Sequence, residues 1–444
     1  MASDTEPCLT RAIGRGDIVT TTPTRPFGFW TATALVVGGM IGAGIFVLPS
    51  ELAPYGWTGV GAWVAGLAGT IILAWILSRL AIAMPEAPGG IAITGRVLGP
   101  LPGVLIGWSY WIGIWSANAV IATAAVRYLA VFLPFLAPTV PQALGAVVIV
   151  WALTLLNLRG ARAAGRFQVV TAILKVLPLF AVILIVVALW TGLLAPPGDP
   201  GPHAGFSAGG ITPALASVFY ALVGFESASV AAERVDRPEV NVVRAMFAGG
   251  ILTGLLYIIV CSGIIFALPE AVVHAAPAPI SMFVGIFLGR GAELLVAAFA
   301  VIAAVGALNG WILVQGEVPL GMARADLLPR WIGRTNDRDV PAGVLLFTSL
   351  CTTILLLSCA IGLSDILDFM LKLTAAATMW LYIGACAAAL RLGIARIPAV
   401  LGLLFCFWVL VGTGLVANEL CAALMVSAVP LYLLRTRVMA EQLA

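Results

Sequence analysis

Residues 38–46 of the chain read GGMIGAGIF and place four glycines inside the first long hydrophobic span. Residues 219–227 read FYALVGFES and bring a glycine and a glutamate into the sixth such span. Unwinding a helix within lipid leaves N–H and C=O groups without partners, so such breaks persist where the freed groups line a cavity or hold a ligand. Two breaks in matching spans of what reads as a duplicated architecture therefore predict a solute-binding centre inside a membrane.

The composition is that of an integral membrane protein. Of the 444 residues, 61% are hydrophobic and only 10% are charged, and the mean hydropathy is +1.09. Apolar stretches of roughly 20 residues, each long enough to cross a bilayer, recur along the chain. They do not alternate at period two, so the pattern predicts an all-α membrane protein with about twelve transmembrane helices rather than a barrel. The predicted spans begin near positions 28, 58, 100, 139, 166, 211, 244, 279, 340, 363, 396 and 418.

The arginines predict how the chain is oriented. All 23 basic residues except Lys175 and Lys372 are arginines, and most lie before the first span or in every second loop. Arg127 and Arg290 are the exceptions. Because positive residues stay on the cytoplasmic side, we expect both termini there and an even number of spans. The expected location is a bacterial inner (plasma) membrane, crossed many times.

Several classes of function lack their sequence signature. The seven cysteines include no CxxC pair, and both histidines fall in predicted outer loops, so no metal site is expected. No nucleotide-binding loop, nucleophile elbow or dinucleotide fingerprint occurs, and no cofactor is expected. A net charge of +3 reflects the sidedness of the loops and does not indicate nucleic acid. The chain is therefore predicted not to be an enzyme, and transport by it has to draw on gradients or exchange.

The two breaks suggest how a solute would be held. A helix that restarts at Gly42–Gly44 presents free N–H groups at its positive end, which suits a carboxylate. A second break at Tyr220–Gly224 frees carbonyl groups, which suit an α-ammonium group. Together they would clamp the backbone of an amino acid. The alternative is that these glycines only allow close packing of helices, which is common in membranes.

Three motifs resemble those of the amino acid–polyamine–organocation (APC) transporters. They are residues 42–46 (GAGIF) followed by Leu48-Pro49, residues 88–90 (PGG), and residues 223–232 (VGFESASVAA) followed by Arg237-Pro238. The third is most similar to the bacterial arginine/agmatine antiporter branch. The resemblance implies a LeuT-like fold with two inverted repeats of five spans, at 28–193 and 194–391. Two peripheral spans would occupy 392–436. Cytoplasmic tails would occupy 1–27 and 437–444. Dimers are common among such transporters, which leaves a homodimer open.

The resemblance also implies roles for individual residues. Tyr110, Glu226 and Tyr382 would form an outer gate, with Glu226 coupling the two halves of a transport cycle. Trp311 matches a tryptophan that stacks on the substrate's guanidinium group as a middle gate, and indole faces suit cations. The implied substrate-binding residues are Met40, Ile41, Ala43, Gly44, Gly113, Ile114, Asn118, Tyr220, Ala221, Val223, Trp311 and Thr374. Ile114, where the antiporter has a cysteine, predicts a drier pocket.

Three further charged residues leave alternatives open. Lys175 lies within the fifth span, where many APC transporters carry a lysine in a sodium-like position, so it is expected to carry a proton or to act as a fixed cation. Lys372 is expected to pair with Asp365 or Asp368, and would repel cationic substrates if it faced the pocket instead. Glu317 either counters one of these charges or lies at the cytoplasmic exit of the eighth span.

Two classes of function follow from these residues. The first is a secondary active transporter of amino acids that works by alternating access. Within it, antiport of a cationic amino acid and an amine is favoured by the sixth-span motif, and proton-coupled uptake of neutral amino acids is favoured by Lys175, Lys372 and Ile114. The second class is a non-transporting membrane sensor or a channel, for which no signalling domain or polar pore repeat is visible. In either class the partners are a small amino acid or amine and the lipid bilayer.

Overall fold

A computed structural model describes residues 28–42, 44–84, 87, 89–159, 174–226, 235–360 and 366–443. Several residues named from the sequence lie outside these ranges: Ala43, Pro88, Asp365, and residues 227–232 of the sixth-span motif.

The described chain folds into α-helices joined by turns, loops and short 3₁₀ helices, and the longest of these connections run over 191–207 and 325–341. The first nine helices are α1 Phe29–Met40, α2 Gly44–Leu52, α3 Trp57–Ala83, α4 Gly89–Leu98, α5 Pro100–Leu129, α6 Thr139–Asn157, α7 Val176–Trp190, α8 Ala208–Leu222 and α9 Pro238–Ala267. The others are α10 Glu270–His274, α11 Pro279–Leu288, α12 Arg290–Arg324, α13 Ala342–Ala360, α14 Ile366–Arg391, α15 Arg396–Thr413, α16 Leu415–Val426 and α17 Ala428–Leu443.

Glycine and proline determine where many of these helices begin and end. Gly99 adopts φ 110° immediately before Pro100, which occupies the first position of α5. Gly289 adopts φ 84° between α11 and α12. Such positive φ angles are open to glycine at no steric cost, and proline is pre-organised for the first turn of a helix. The hydrophobic stretches are thereby divided into helices of defined length.

The helices account for the predicted membrane spans. Within the described residues, eight helices are long and apolar enough to cross a membrane, and α1 with α2, bent by 48°, forms a ninth, broken span. Five shorter apolar helices of 10–17 residues lie within α4, α7, α8, α11 and α13, and three of them would be needed to reach the expected twelve spans. One boundary was wrong: the eighth span begins at Arg290 rather than near 279, because Gly289 separates it from α11.

The centre of the bundle is built around α5, which packs against α12, α14 and α6. The broken span lies against this centre through α2, while α1 packs on α9, and α8 packs on α3, α14 and α15. In the interior of the bundle, α2 therefore meets α5, and α8 meets α14.

Candidate functional site

A cavity lies where the two breaks face α5, α12 and α14. It is lined by ten of the residues named from the sequence: Met40, Gly44, Tyr110, Gly113, Ile114, Tyr220, Ala221, Val223, Trp311 and Thr374. Gly39 and Gly42 of the first break line it as well, and three further residues line it that the sequence reasoning did not name: Ala117, Ile121 and Thr378. None of these lining residues is charged, so a charged group that enters has to be met by backbone dipoles, hydroxyl groups and aromatic faces.

The first break frees the N-terminus of α2 at the cavity. α1 ends at Met40, and α2 begins at Gly44, which lines the cavity. The first N–H groups of a helix have no partner within it and carry a partial positive charge. On the other side of the break, the carbonyl of Met40 accepts a hydrogen bond from the Tyr257 hydroxyl at 2.7 Å. The break therefore offers donors to a ligand while the end of α1 is tied to α9.

The second break begins later than the sequence suggested. We expected it at Tyr220–Gly224, but Tyr220 is still helical and α8 continues to Leu222. Val223 then turns to an extended conformation, and Gly224 adopts φ 110°. Because the last carbonyls of a helix lack partners within it, the carbonyl groups available at the cavity are those of the final turn of α8.

The two breaks are in direct backbone contact. A Cβ atom placed on Gly224 would lie 2.6 Å from the carbonyl oxygen of Gly39, and one on Gly44 would lie 2.8 Å from the Cβ atom of Ala221. Both distances are too short for a side chain. Glycine is therefore required here for the approach of one broken span to the other, and the packing alternative holds together with the cavity rather than instead of it.

Glu226 joins three elements at one end of the cavity. Its carboxylate accepts hydrogen bonds from the Tyr110 hydroxyl at 3.2 Å, the Tyr382 hydroxyl at 3.0 Å and the Gly224 N–H at 3.0 Å. The Phe225 ring stacks on Tyr382 with centroids 5.3 Å apart. Glu226 and Tyr382 are buried. The cluster thus connects α5, the second break and α14.

The outer-gate role expected for this cluster depends on how the chain crosses the membrane. Tyr110 lies at the Pro100 end of the cavity-lining face of α5, and Tyr382 lies one turn beyond Thr378 towards Arg391. Arg96 precedes this end of α5 and Arg391 ends α14, so the positive-inside pattern predicts that this end faces the cytoplasm. In that predicted orientation the cluster would lie at the inner rather than the outer end of the cavity.

Other residues named from the sequence lie behind the cavity wall. Ile41 is buried and does not line the cavity. Asn118 is fully buried beside the lining residue Ala117, and its Nδ2 donates to Gln315 Oε1 at 2.7 Å. The buried Lys175 lies at the start of α7, where its Nζ donates to the carbonyl of Gly38 at 3.2 Å. Lys175 thus reaches the end of α1 rather than the cavity.

Lys372 and Glu317 can now be placed. Lys372 Nζ lies 2.6 Å from Asp368 Oδ2, which confirms the expected ion pair, and neither residue lines the cavity. Glu317 is exposed near the Arg324 end of α12 and also lies away from the cavity. Within the described residues, no group of three or more histidine, cysteine or acidic side chains could hold a metal ion.

The three unpredicted lining residues, Ala117, Ile121 and Thr378, share a simple property: their side chains are small or apolar. A Cβ atom on Gly113 would lie 2.7 Å from Thr378 Oγ1, so Thr378 could have been found only from the packing of α14 on α5. Ala117 and Ile121 follow Ile114 at helical spacing, and this periodicity is the one sequence signal that pointed to them.

Comparison with known proteins gives a consistent match over most of the chain. The family model described as amino acid permease matches residues 27–434. A cadaverine/lysine antiporter of Escherichia coli strain K12 is 29% identical over 420 residues, covering 91% of this chain and 93% of the relative. An arginine/ornithine antiporter of Pseudomonas aeruginosa is 30% identical over 338 residues, covering 73% of this chain and 69% of the relative. An arginine/ornithine antiporter of Latilactobacillus sakei is 28% identical over 347 residues, covering 74% of this chain and 71% of the relative.

Proposed function

Because the chain belongs to the amino acid permease family, we propose that it is a multi-pass membrane antiporter that exchanges a cationic amino acid for a related amino acid or amine. The observation that carries this proposal is the uncharged cavity between two interrupted spans, in a chain similar to cadaverine/lysine and arginine/ornithine antiporters. No enzymatic reaction is assigned to it.

The cavity supports recognition of an amino acid backbone by the two breaks. The N–H groups at the start of α2 would bind the substrate carboxylate, and the carbonyl groups at the end of α8 would bind its α-ammonium group. Both sets of groups belong to positions that line the cavity, namely Gly44, Tyr220 and Ala221. The clamp would therefore hold the backbone that the amino acid substrates share.

The remaining walls would hold the substrate side chain. Trp311 and Tyr220 offer aromatic faces to a cationic group, an interaction worth about 0.5–2 kcal/mol. Thr374 and Thr378 offer hydroxyl groups. A cation held by aromatic faces and neutral acceptors remains exchangeable, because no ion pair with the cavity wall has to be broken when it leaves.

Glu226 and Lys175 would control the cycle. The Glu226 cluster would close the cavity towards the cytoplasm, in the orientation with both termini on that side. Opening it requires both tyrosine hydroxyl groups to give up the carboxylate. Lys175 would act on α1 through the carbonyl of Gly38, either as a fixed cation or as a proton carrier.

Neutral amino acid uptake, the alternative drawn from Lys175 and Ile114, gains no support from the relatives. The cadaverine/lysine and arginine/ornithine antiporters are named for substrates with cationic side chains and for exchange. Lys372 also gives no reason to exclude cations, because its ammonium group is paired with Asp368 away from the cavity.

Counterflow in proteoliposomes tests the proposal. Vesicles holding the purified chain are loaded with unlabelled lysine, ornithine, arginine, cadaverine or agmatine, and uptake of labelled lysine or arginine is followed. We expect uptake only when a cationic substrate is inside. Equal uptake into empty vesicles would contradict exchange, and equal uptake against internal leucine would contradict the cationic class.

A further inference from the structure

Asn118, which lies behind the cavity wall beside the lining residue Ala117, carries a buried hydrogen-bond acceptor without a described partner. It is fully buried on α5, one turn after Ile114 and one turn before Ile121, both of which line the cavity. Its Nδ2 donates to Gln315, but its Oδ1 has no hydrogen-bond partner among the described residues. A buried carbonyl left without a donor is costly, so a nearby site for a donor is expected.

The direction of the Asn118 amide follows from a chain of buried hydrogen bonds behind it. Gln315 on α12 accepts from Asn118 Nδ2 at 2.7 Å and donates from Nε2 to Ser349 Oγ at 2.9 Å and to the Leu345 carbonyl at 3.5 Å. Ser349 on α13 lies 2.7 Å from the Thr154 hydroxyl. Thr154 in turn donates to the carbonyl of Val150 at 2.8 Å.

One donor–acceptor direction along this series of hydrogen bonds satisfies the carbonyl groups of both Val150 and Leu345. A carbonyl oxygen only accepts, so the Thr154 proton goes to Val150, and Ser349 donates to Thr154 and accepts from Gln315. Reversing the chain would set the amide oxygen of Gln315 against the carbonyl oxygen of Leu345. Because amide directions are assigned from such networks, the Oδ1 atom of Asn118 is the one left over.

We propose that Gln315 is a specificity-determining positioning residue, which turns the Asn118 carbonyl towards the distal ammonium or guanidinium group of the substrate. The inference rests on the proposed function, since it names how that cavity selects cations. With no charged side chain lining the cavity, a neutral acceptor held in one orientation favours a donor-only cation over an apolar side chain of the same length.

The test measures selectivity rather than activity alone. The full chain is purified in detergent, and dissociation constants are measured by calorimetry for norleucine and for whichever of lysine, ornithine and arginine binds most tightly. Norleucine is lysine without its terminal ammonium group. We expect Gln315→Leu to lower the preference for the cation over norleucine by about 10-fold, or about 1.4 kcal/mol. Gln315→Glu, which keeps an acceptor facing Asn118, should retain the preference.

Two controls separate positioning from packing. Thr348→Val removes a buried hydroxyl of α13 that accepts a hydrogen bond from Trp111. This hydroxyl does not belong to the series of hydrogen bonds that ends at Asn118, so the preference for the cation should be unchanged. In an Asn118→Leu background, Gln315→Leu should cause no further loss, because the residue acts through Asn118. If Gln315→Leu cannot be purified in folded form, Ser349→Ala removes the next link and should lower the preference in the same direction.

The outcomes distinguish this inference from the proposed function. If the wild-type chain binds none of the cationic amino acids, the proposed function fails and the inference falls with it. If the wild-type chain binds them but Gln315→Leu leaves the preference for the cation unchanged, only the inference is overturned. The same holds if Gln315→Leu lowers the preference equally in the Asn118→Leu background and in the wild type.

Discussion

Glu226→Ala is the substitution that should separate binding from exchange. Glu226 accepts hydrogen bonds from Tyr110, Tyr382 and the Gly224 N–H, at 3.2, 3.0 and 3.0 Å. Alanine would leave the buried Tyr382 hydroxyl and the partly buried Tyr110 hydroxyl without this acceptor. A buried hydroxyl without a partner costs about 1–3 kcal/mol, so closure at this end of the cavity loses about 2 kcal/mol. That corresponds to a roughly 30-fold change in the ratio of closed to open conformations.

The assay is the initial rate of labelled lysine or arginine uptake into proteoliposomes loaded with unlabelled substrate. We expect exchange by Glu226→Ala to fall at least about 10-fold, while calorimetry still detects binding, because the backbone clamp at Gly44 and Ala221 is unchanged. Tyr110→Phe is the matched control: it removes one of the three hydrogen bonds and should cause a smaller loss. Exchange by Glu226→Ala at the wild-type rate would refute the coupling role.

Three further substitutions test other parts of the site. Gly224→Ala adds a Cβ atom 2.6 Å from the Gly39 carbonyl oxygen, at a residue whose φ is 110°. We therefore expect reduced thermal stability in detergent and lost substrate binding. An unaltered melting temperature would contradict the contact between the breaks. Lys175→Met removes the ammonium group that donates to Gly38 and should weaken the pH dependence of exchange without lowering membrane insertion; a pH profile identical to that of the wild type would argue against a proton role. Lys372→Ala should leave cation selectivity unchanged, because the pair with Asp368, whose side chains are 23% and 33% exposed, contributes about 0–1 kcal/mol and lies away from the cavity. A clear gain in arginine affinity would show that Lys372 acts on the substrate.

The sequence was sufficient for the membrane spans and for the position of the first break. Both follow from short-range physics, namely the length of apolar stretches and the placement of glycine. The lining residues on α5, α12 and α14 could be named only through the family resemblance, because a lone Trp311 or Thr374 in an apolar helix carries no local signal. Gln315 was missed altogether. Its importance lies in its partners on α5 and α13, which are distant in sequence, and no pattern along one helix reveals them.

The absence of charge among the described cavity-lining residues has an electrical consequence. A carrier whose cavity contributes no charge moves only the valence of its cargo, so exchanging a divalent diamine for a monovalent amino acid would shift one net charge per cycle. At a membrane potential of about 100 mV, that charge is worth about 2.3 kcal/mol. Such a cycle would draw current, and the voltage across the bilayer would help to decide which cargo leaves the cell.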